Sequence, residues 1–365
     1  MKIVSIVGAR PQFIKAAMVS KQLREIHEEI LVHTGQHYDK DLSDIFFQEL
    51  SLPNPEYNLG VGSMSHASQT ARMMMGIEEV LVGEKPDWIL VYGDTNSTIG
   101  GALTAAKLNI PVAHVEAGPR MYDRSIPEEV NRIITDHIST LLFAPTQISV
   151  DNLRKEGIED GVFLTGDVML DSFRKFSRVA EQKSTILDEL GLQSKGYLLA
   201  TVHRARNTDI EENLRSIVEA FLSCDETIVF SVHPRTDKCL KKYGLFETLF
   251  RAPNLVLISP LGYLDSLMLT RNAHKILTDS GGLQKEAYFS KVPCITLDES
   301  TGWPETLEDG WNILVGSNQD KIVAAVNDFS PQGKQRNVFG DGETGKIIVE
   351  VLSNDMPISN TLNLI

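Results

Sequence analysis

Lys2-Ile3-Val4-Ser5-Ile6-Val7-Gly8-Ala9-Arg10-Pro11-Gln12-Phe13-Ile14-Lys15 carries an apolar strand straight into a glycine turn, an arginine and the first turn of a helix. The nearly continuous apolar run from Lys2 to Val7 suits a strand covered on both faces. Gly8 breaks the run, and Pro11 fits the first helical position, where no amide donor is needed. Strand, glycine turn and helix in this order open an α/β domain. The turn falls at the carboxyl end of the strand, where open parallel sheets place their ligands. Arg10, Lys15 and the helix N-terminus put positive charge there, which suits a phosphate. The structural alternative is a turn that only joins strand to helix.

Composition sets the frame for that turn. At 365 residues the chain exceeds the usual size of a single core, so two domains are expected, and 42% apolar residues can fill both. Lys and Arg number 35 against 49 Asp and Glu, a formal charge of -14, which disfavours a nucleic acid or an anionic membrane as the main partner. A phosphate site must therefore be local within an acidic protein. Cys224, Cys239 and Cys294 lie far apart, with no metal-ligand or redox spacing, and read as reduced thiols. No leader pattern or membrane-length apolar run is present, so a cytoplasmic enzyme is expected.

Short β-rich runs alternate with helical patterns along the chain, the signature of crossover units and parallel sheets. Candidate strands in the first half are Lys2-Val7, Ile30-His33, Trp88-Tyr92, Val112-Val115, Leu141-Ala144 and Val162-Leu164. The pattern restarts with Tyr197-Val202, Thr227-Val232, Leu255-Ile258, Lys275-Thr278, Cys294-Thr296 and Asn312-Leu314. Two doubly wound α/β domains follow, with 1–170 as the first and 171–343 as the second. The charged segment Glu181-Glu189 reads as a linking helix, and the run 344–352 as a helix returning to the first domain. An interdomain cleft would be the preferred ligand site. Met73-Met74-Met75 reads as helix core and Trp88 as strand packing.

Further clusters stand at strand ends. Gly93-Asp94-Thr95 closes a strand and opens a helix, placing Asp94 at the functional edge, with helix capping as its structural alternative. His114-Val115-Glu116-Ala117-Gly118 adds a second carboxylate, costly in an apolar strand end unless paired with Arg120 or Arg132, or used. Pro127-Glu128-Glu129 starts a helix in which Glu128 and Arg132, four apart, can pair, while Glu129 reads as an ordinary first-turn acid. His203-Arg204 and His233-Pro234-Arg235 finish two strands of the second half and suggest an anionic or sugar-bearing ligand. Asp279-Ser280-Gly281-Gly282 then opens a helix whose amides can hold a diphosphate, with Glu286 one turn on to accept ribose hydroxyls. Neither a Walker motif nor the Gly-x-Gly-x-x-Gly dinucleotide fingerprint is present, which removes support for ATP hydrolysis and NAD chemistry.

Taken together these segments resemble the non-hydrolysing UDP-N-acetylglucosamine 2-epimerase family, from Lys2 to about Gly316. The resemblance implies two Rossmann-like domains of the glycosyltransferase-B type, a UDP-sugar substrate, a homodimer, and no added cofactor or metal. It implies that Arg10, His233, Ser280, Gly281, Gly282 and Glu286 hold the UDP part. Lys15, Asp94, Glu116, Glu128, Arg132 and His203 would surround the sugar, whose C2 is inverted by eliminating UDP to a glycal and adding it back.

The hydrogen at C2 is not next to a carbonyl, so UDP departure must lead, and inversion asks for acid/base groups on both faces. Asp94 and Glu116 are the expected main pair, with Glu128 third. Departures from the family pattern are Pro119 for leucine, Arg206 for glutamate, and Gly302-Trp303-Pro304-Glu305 for Glu-Arg-Pro-Glu. The tryptophan resembles relatives acting on UDP-2,3-diacetamido-2,3-dideoxyglucuronate, which stands as the alternative substrate. A UDP-dependent glycosyltransferase is the second alternative, and a non-catalytic UDP-sugar sensor the rival from another class.

Overall fold

The computed structural model describes residues 1–36 and 40–354. They divide into two compact units: Met1–Arg174 with the segment from Asn337 onward, and Lys175–Arg336.

The first unit contains a parallel sheet of β1 (Lys2–Val7), β2 (Glu28–His33), β3 (Tyr57–Asn58), β4 (Trp88–Tyr92), β5 (Val112–Val115), β6 (Leu141–Ala144) and β7 (Val162–Leu164), in the order β3-β2-β1-β4-β5-β6-β7. The second contains β8 (Leu198–Val202), β9 (Ile228–Val232), β10 (Leu255–Ile258), β11 (Lys275–Thr278), β12 (Cys294–Thr296) and β13 (Asn312–Leu314), in the order β10-β9-β8-β11-β12-β13. Both orders step outward from the first strand of the unit, then reverse and continue on its other side. One topology is thus built twice, although the sequence carries no visible repeat. β3, two exposed residues long, is an addition to the expected strands.

The central strands are buried on both faces, as their apolar runs require: β1, β4 and β8 pack into the cores of their units. The reversal of order creates a switch point beside β1 and β4 in the first unit and beside β8 and β11 in the second. Ligands of open α/β sheets bind outside the strand ends at such points. The segments singled out from sequence stand there: Gly8 follows β1, Gly93 follows β4, His203 follows β8 and Asp279 follows β11.

The division between units falls at Arg174, inside the helix Val168–Lys183, and not in a linker. The segment expected as one linking helix is interrupted between Lys183 and Ile186, and its second part, Ile186–Glu189, packs on the second unit. The returning chain from Asn337 is stitched to the first unit. Asp167 N donates to Phe339 O (2.9 Å), Thr344 Oγ1 to Thr165 O (3.1 Å) and Gly345 N to Asp171 Oδ2 (2.8 Å). The helix Thr344–Asn354 that follows packs on the helix Arg10–Ile26. The expected all-core reading of Met73–Met75 fails at Met75, which is 67% exposed, while Met73 and Trp88 are buried. No helix among the described residues is long and apolar enough to cross a membrane.

Candidate active site

At the first switch point the turn after β1 is organised by Gln12. Its Oε1 accepts from the amides of Gly8 (2.8 Å) and Ala9 (3.0 Å), and its Nε2 donates to Tyr92 O (2.9 Å) and Thr98 Oγ1 (3.0 Å). One buried amide thus ties the end of β1 to the end of β4. It also occupies two amides that the turn would otherwise offer an anion, so the positive charge there comes chiefly from side chains. A Cβ on Gly8 would stand 2.1 Å from both Ser97 Oγ and Thr34 Oγ1, so only glycine lets these segments converge. The Arg10 guanidinium lies 4.5 Å from the centre of the Phe46 ring.

Beside this turn the acids and bases form a chain. Lys15 Nζ donates to Glu116 Oε1 at 2.6 Å, and both side chains are buried. Arg132 donates from Nε (3.0 Å) and Nη2 (2.7 Å) to Asp94 Oδ2, and from Nη1 to Glu129 Oε2 (2.7 Å). Burial alone would lower the Arg132 pKa, but Asp94, Glu129 and Glu116 together raise it above its ordinary value. Gly93, at φ +63°, is the hinge of the cluster: a Cβ there would lie 3.1 Å from Lys15 Nζ and 3.5 Å from Glu116 Oε1. Glu116 is itself left-handed, at φ +72°, an uncommon conformation for a residue with a Cβ.

Several expected local partners give way to more distant ones. Thr95, not Asp94, caps the helix Asn96–Lys107, which leaves the Asp94 carboxylate to Arg132. Glu116 takes Lys15 where Arg120 or Arg132 was expected, and Arg120 goes to Asp136 and Glu156. Arg132 takes Glu129 and Asp94, not Glu128, which stands exposed on the first turn of the helix Pro127–Ile138. Glu129 is more than a first-turn acid. Fully buried, it also accepts the amides of Met121 (3.0 Å) and Tyr122 (2.8 Å), so it anchors the loop before its helix.

In the second unit, buried Asp279 organises the switch point. It accepts from the amides of His203 (3.0 and 3.1 Å) and Arg204 (2.9 Å) and from Asn207 Nδ2 (3.0 Å), and His203 Nδ1 lies 3.3 Å from its Oδ1. The rings of His203 and His233 are 5.5 Å apart between centroids. His233 caps its helix by accepting the Arg235 amide on Nδ1 (3.2 Å). Ser280 caps the helix Gly281–Phe289, accepting the Leu283 amide on Oγ (3.4 Å) and the Gln284 amide on its carbonyl (3.1 Å). The amides of Gly281 and Gly282 begin that helix, where a diphosphate is favoured. Glu286 is buried one turn further on.

Trp303 closes one side of this helix start. A Cβ on Gly281 would meet its Nε1 at 3.2 Å, and Lys285 Nζ lies 3.8 Å from the centre of its ring system. Arg204 Nη1 and Arg206 Nη1 both pair with Asp298, at 3.2 and 3.3 Å, and Arg206 Nη2 also approaches Glu299 Oε2 at 3.5 Å.

Gln12, Glu129, Asp136 and Asp279 are the organising residues that sequence reasoning passed over as site members. Asp279 alone carried a signal, as the strand-end acid before Ser280.

Comparison with known proteins gives the chain's relatives. A family model described as UDP-N-acetylglucosamine 2-epimerase matches residues 21–353. A Methanococcus maripaludis protein named UDP-N-acetylglucosamine 2-epimerase homolog is 58% identical, over 97% of this chain and 100% of its own. The UDP-2,3-diacetamido-2,3-dideoxy-D-glucuronate 2-epimerase of Pseudomonas aeruginosa is 44% identical, over 97% of this chain and 99% of its own. The crystal structure of Methanocaldococcus jannaschii UDP-GlcNAc 2-epimerase, in complex with UDP-GlcNAc and UDP, superposes with a TM-score of 0.93 at 46% identity, covering 97% of this chain and 100% of that one.

Proposed function

Because the chain belongs to the UDP-N-acetylglucosamine 2-epimerase family, of the two-domain glycosyltransferase-B type, we propose that it interconverts UDP-GlcNAc and UDP-ManNAc by eliminating UDP and adding it back across a 2-acetamidoglucal. The observation that carries this reading is the pairing at the first switch point: Asp94 and Glu116 flank Gly93, each tied to a buried cation. A glycosyl transfer or a sensor would not need two such carboxylates at the ends of neighbouring strands.

The chemistry asks for this arrangement. UDP must begin to leave before a carboxylate can take the C2 proton, and positive charge then grows on the sugar ring. Ser280, the amides of Gly281 and Gly282, and His233 take the UDP diphosphate, with Glu286 on the ribose, and Arg10 steadies UDP as it departs and returns. Asp94 and Glu116, paired with Arg132 and Lys15, stabilise the ring and exchange the proton at C2. Exposed Glu128, which no cation holds among the described residues, is the remaining acid/base group. His203 lies beside His233 and serves the sugar end of the diphosphate.

The same reading includes a homodimer in the cytoplasm, without an added cofactor. Met75 and Val82 on the helix His66–Glu84, and Val130 and Ile134 on the helix Pro127–Ile138, leave exposed apolar side chains for a second copy. Sedimentation at micromolar concentration reads the oligomer directly.

The deciding experiment incubates the protein with UDP-GlcNAc in deuterated water, without acceptor, and follows the sugar by NMR. Deuterium at C2 with growth of the manno isomer is expected. Exchange only with UDP-2,3-diacetamido-2,3-dideoxyglucuronate would move the activity to that substrate, the one named for the Pseudomonas aeruginosa relative. The charges of Arg204 and Arg206 are taken up by Asp298 and Glu299, which offers a sugar carboxylate no surplus cation at that point. Binding with no exchange of either sugar would overturn the epimerase reading.

A further inference from the structure

We propose that His114 is a positioning residue for proton transfer. From behind the site it holds the Gly93-Asp94 turn directly and the Glu116–Gly118 turn through Asp136. The proposal rests on the epimerase reading above.

The geometry is a buried chain. His114 Nε2 lies 2.7 Å from Gly93 O, and Nδ1 lies 2.7 Å from Asp136 Oδ1. Asp136 Oδ2 accepts from Arg120 Nη1 (2.7 Å) and from the Gly118 amide (3.2 Å). Arg120 continues to Glu156 through Nε (2.8 Å) and Nη2 (2.7 Å). His114, Asp136 and Arg120 are all buried. Burial would raise the Asp136 carboxyl, but His114 and Arg120 outweigh it and hold it below the usual carboxylate range. Both His114 nitrogens face oxygen acceptors, one on each of the two turns' supports. Carboxylate and guanidinium alternate onward from Asp136 through Arg120 to Glu156.

This chain does more than fill the core, because of the backbone it grips. Gly93, Glu116 and Gly118 have φ of +63°, +72° and +89°, so two neighbouring strands both end in left-handed turns. For Glu116 that conformation is strained, and it persists only if fixed from outside. The contacts at Gly93 O and Gly118 N sit on either side of the two carboxylates. Once they are released, the turn keeps the bonds of the Glu116 and Ala117 amides to Phe143 O (3.1 Å each) but loses its hold at Gly93 O and Gly118 N, and the Glu116 carboxylate is expected to shift against Lys15. A displacement near an ångström at a reacting group costs roughly a hundredfold in rate. The residues proposed to take the UDP diphosphate and ribose belong to the second unit, apart from Arg10, so UDP affinity should not follow.

The test compares wild type, His114→Phe, His114→Gln and Asp136→Asn for C2 exchange, for UDP affinity by calorimetry, and for the isotope effect of substrate deuterated at C2. In His114→Phe, kcat is expected to fall about a hundredfold while UDP affinity stays within about threefold and the isotope effect rises. His114→Gln, which keeps one donor for Gly93 O, should recover about tenfold of that loss. Asp136→Asn keeps the shape of the chain and should show the same rise in isotope effect, so the proposal remains open to test even where the phenylalanine variant does not fold. Wild-type rates in both His114→Phe and Asp136→Asn would overturn it. So would rates that fall only in step with the folded fraction, at an unchanged isotope effect. A wild-type protein that binds UDP yet exchanges nothing at C2 would instead overturn the epimerase reading.

Discussion

Lys15 Nζ lies 2.6 Å from Glu116 Oε1, a buried ion pair that joins the first helix of the chain to the end of β5, 101 residues away. Removing one member of such a pair leaves an uncompensated charge in the interior, which typically costs about 3–5 kcal/mol. Lys15→Met should therefore lower unfolding free energy by about that amount and abolish C2 exchange. Adding Glu116→Gln to it should restore part of the stability and none of the activity. Urea titrations of the two single variants and the double variant give the coupling, and strictly additive losses would remove the pair as the cause.

Gly93→Ala tests the hinge between the two carboxylates. The substitution meets both a left-handed φ of +63° and the Lys15 ammonium at 3.1 Å, so it disturbs the site as well as the backbone. Gly157→Ala is the matched control, with φ +80° and no atom within 4 Å of its added Cβ. Each should lose about 1–2 kcal/mol from the backbone alone, whereas C2 exchange should drop at least about tenfold in Gly93→Ala only. Equal activity in the two variants would show that the hinge is not needed.

The parts of this molecule legible in its sequence are those set by local pattern. β1, β4, β5, β6 and β7 stand at the expected bounds because apolar runs ended by glycine or polar turns leave little choice. The strand ends that carry Gly8, Gly93, Glu116, His203 and Ser280 were legible for the same reason. What was not legible depends on partners far away in the chain. Glu129 looks like any first-turn acid until Arg132 and the Met121 and Tyr122 amides are seen around it. Gln12 gives no sign of reaching Tyr92 and Thr98, 80 and 86 residues on. The division within the helix Val168–Lys183 has no glycine or proline to mark it, since the helix runs through the boundary unbroken.

Glu128 and Glu129 are neighbours in sequence with opposite expected behaviour. Glu129→Gln keeps the shape of a fully buried side chain but removes the charge that helps hold Arg132, so both stability and C2 exchange should fall, the latter at least about tenfold. Glu128→Gln changes an exposed side chain and should leave stability within about 0.5 kcal/mol while slowing C2 exchange. Melting curves and exchange rates for the two variants separate a residue that holds the site together from one that acts in it. A stable, fully active Glu128→Gln would remove it from the acid/base set.

Asp171 gives the first unit a pH dependence of its own. Burial, helped by the negative charge of Asp167, raises its carboxyl to about 6, although hydrogen bonds from Gly345 and Thr344 pull the other way. An unfolded aspartate titrates near 3.9, so the folded state binds this proton more tightly. The resulting stabilisation is fully present below about pH 4 and is lost as pH rises through about 6, a swing of about 3 kcal/mol. Asp171→Asn fixes the uncharged form while keeping an oxygen for the Gly345 amide. Relative to wild type it should be nearly neutral at about pH 4 and more stable by up to about 3 kcal/mol at about pH 7.5, measured by denaturant melts. A stability difference that does not change between those two pH values would mean that Asp171 does not titrate in this range.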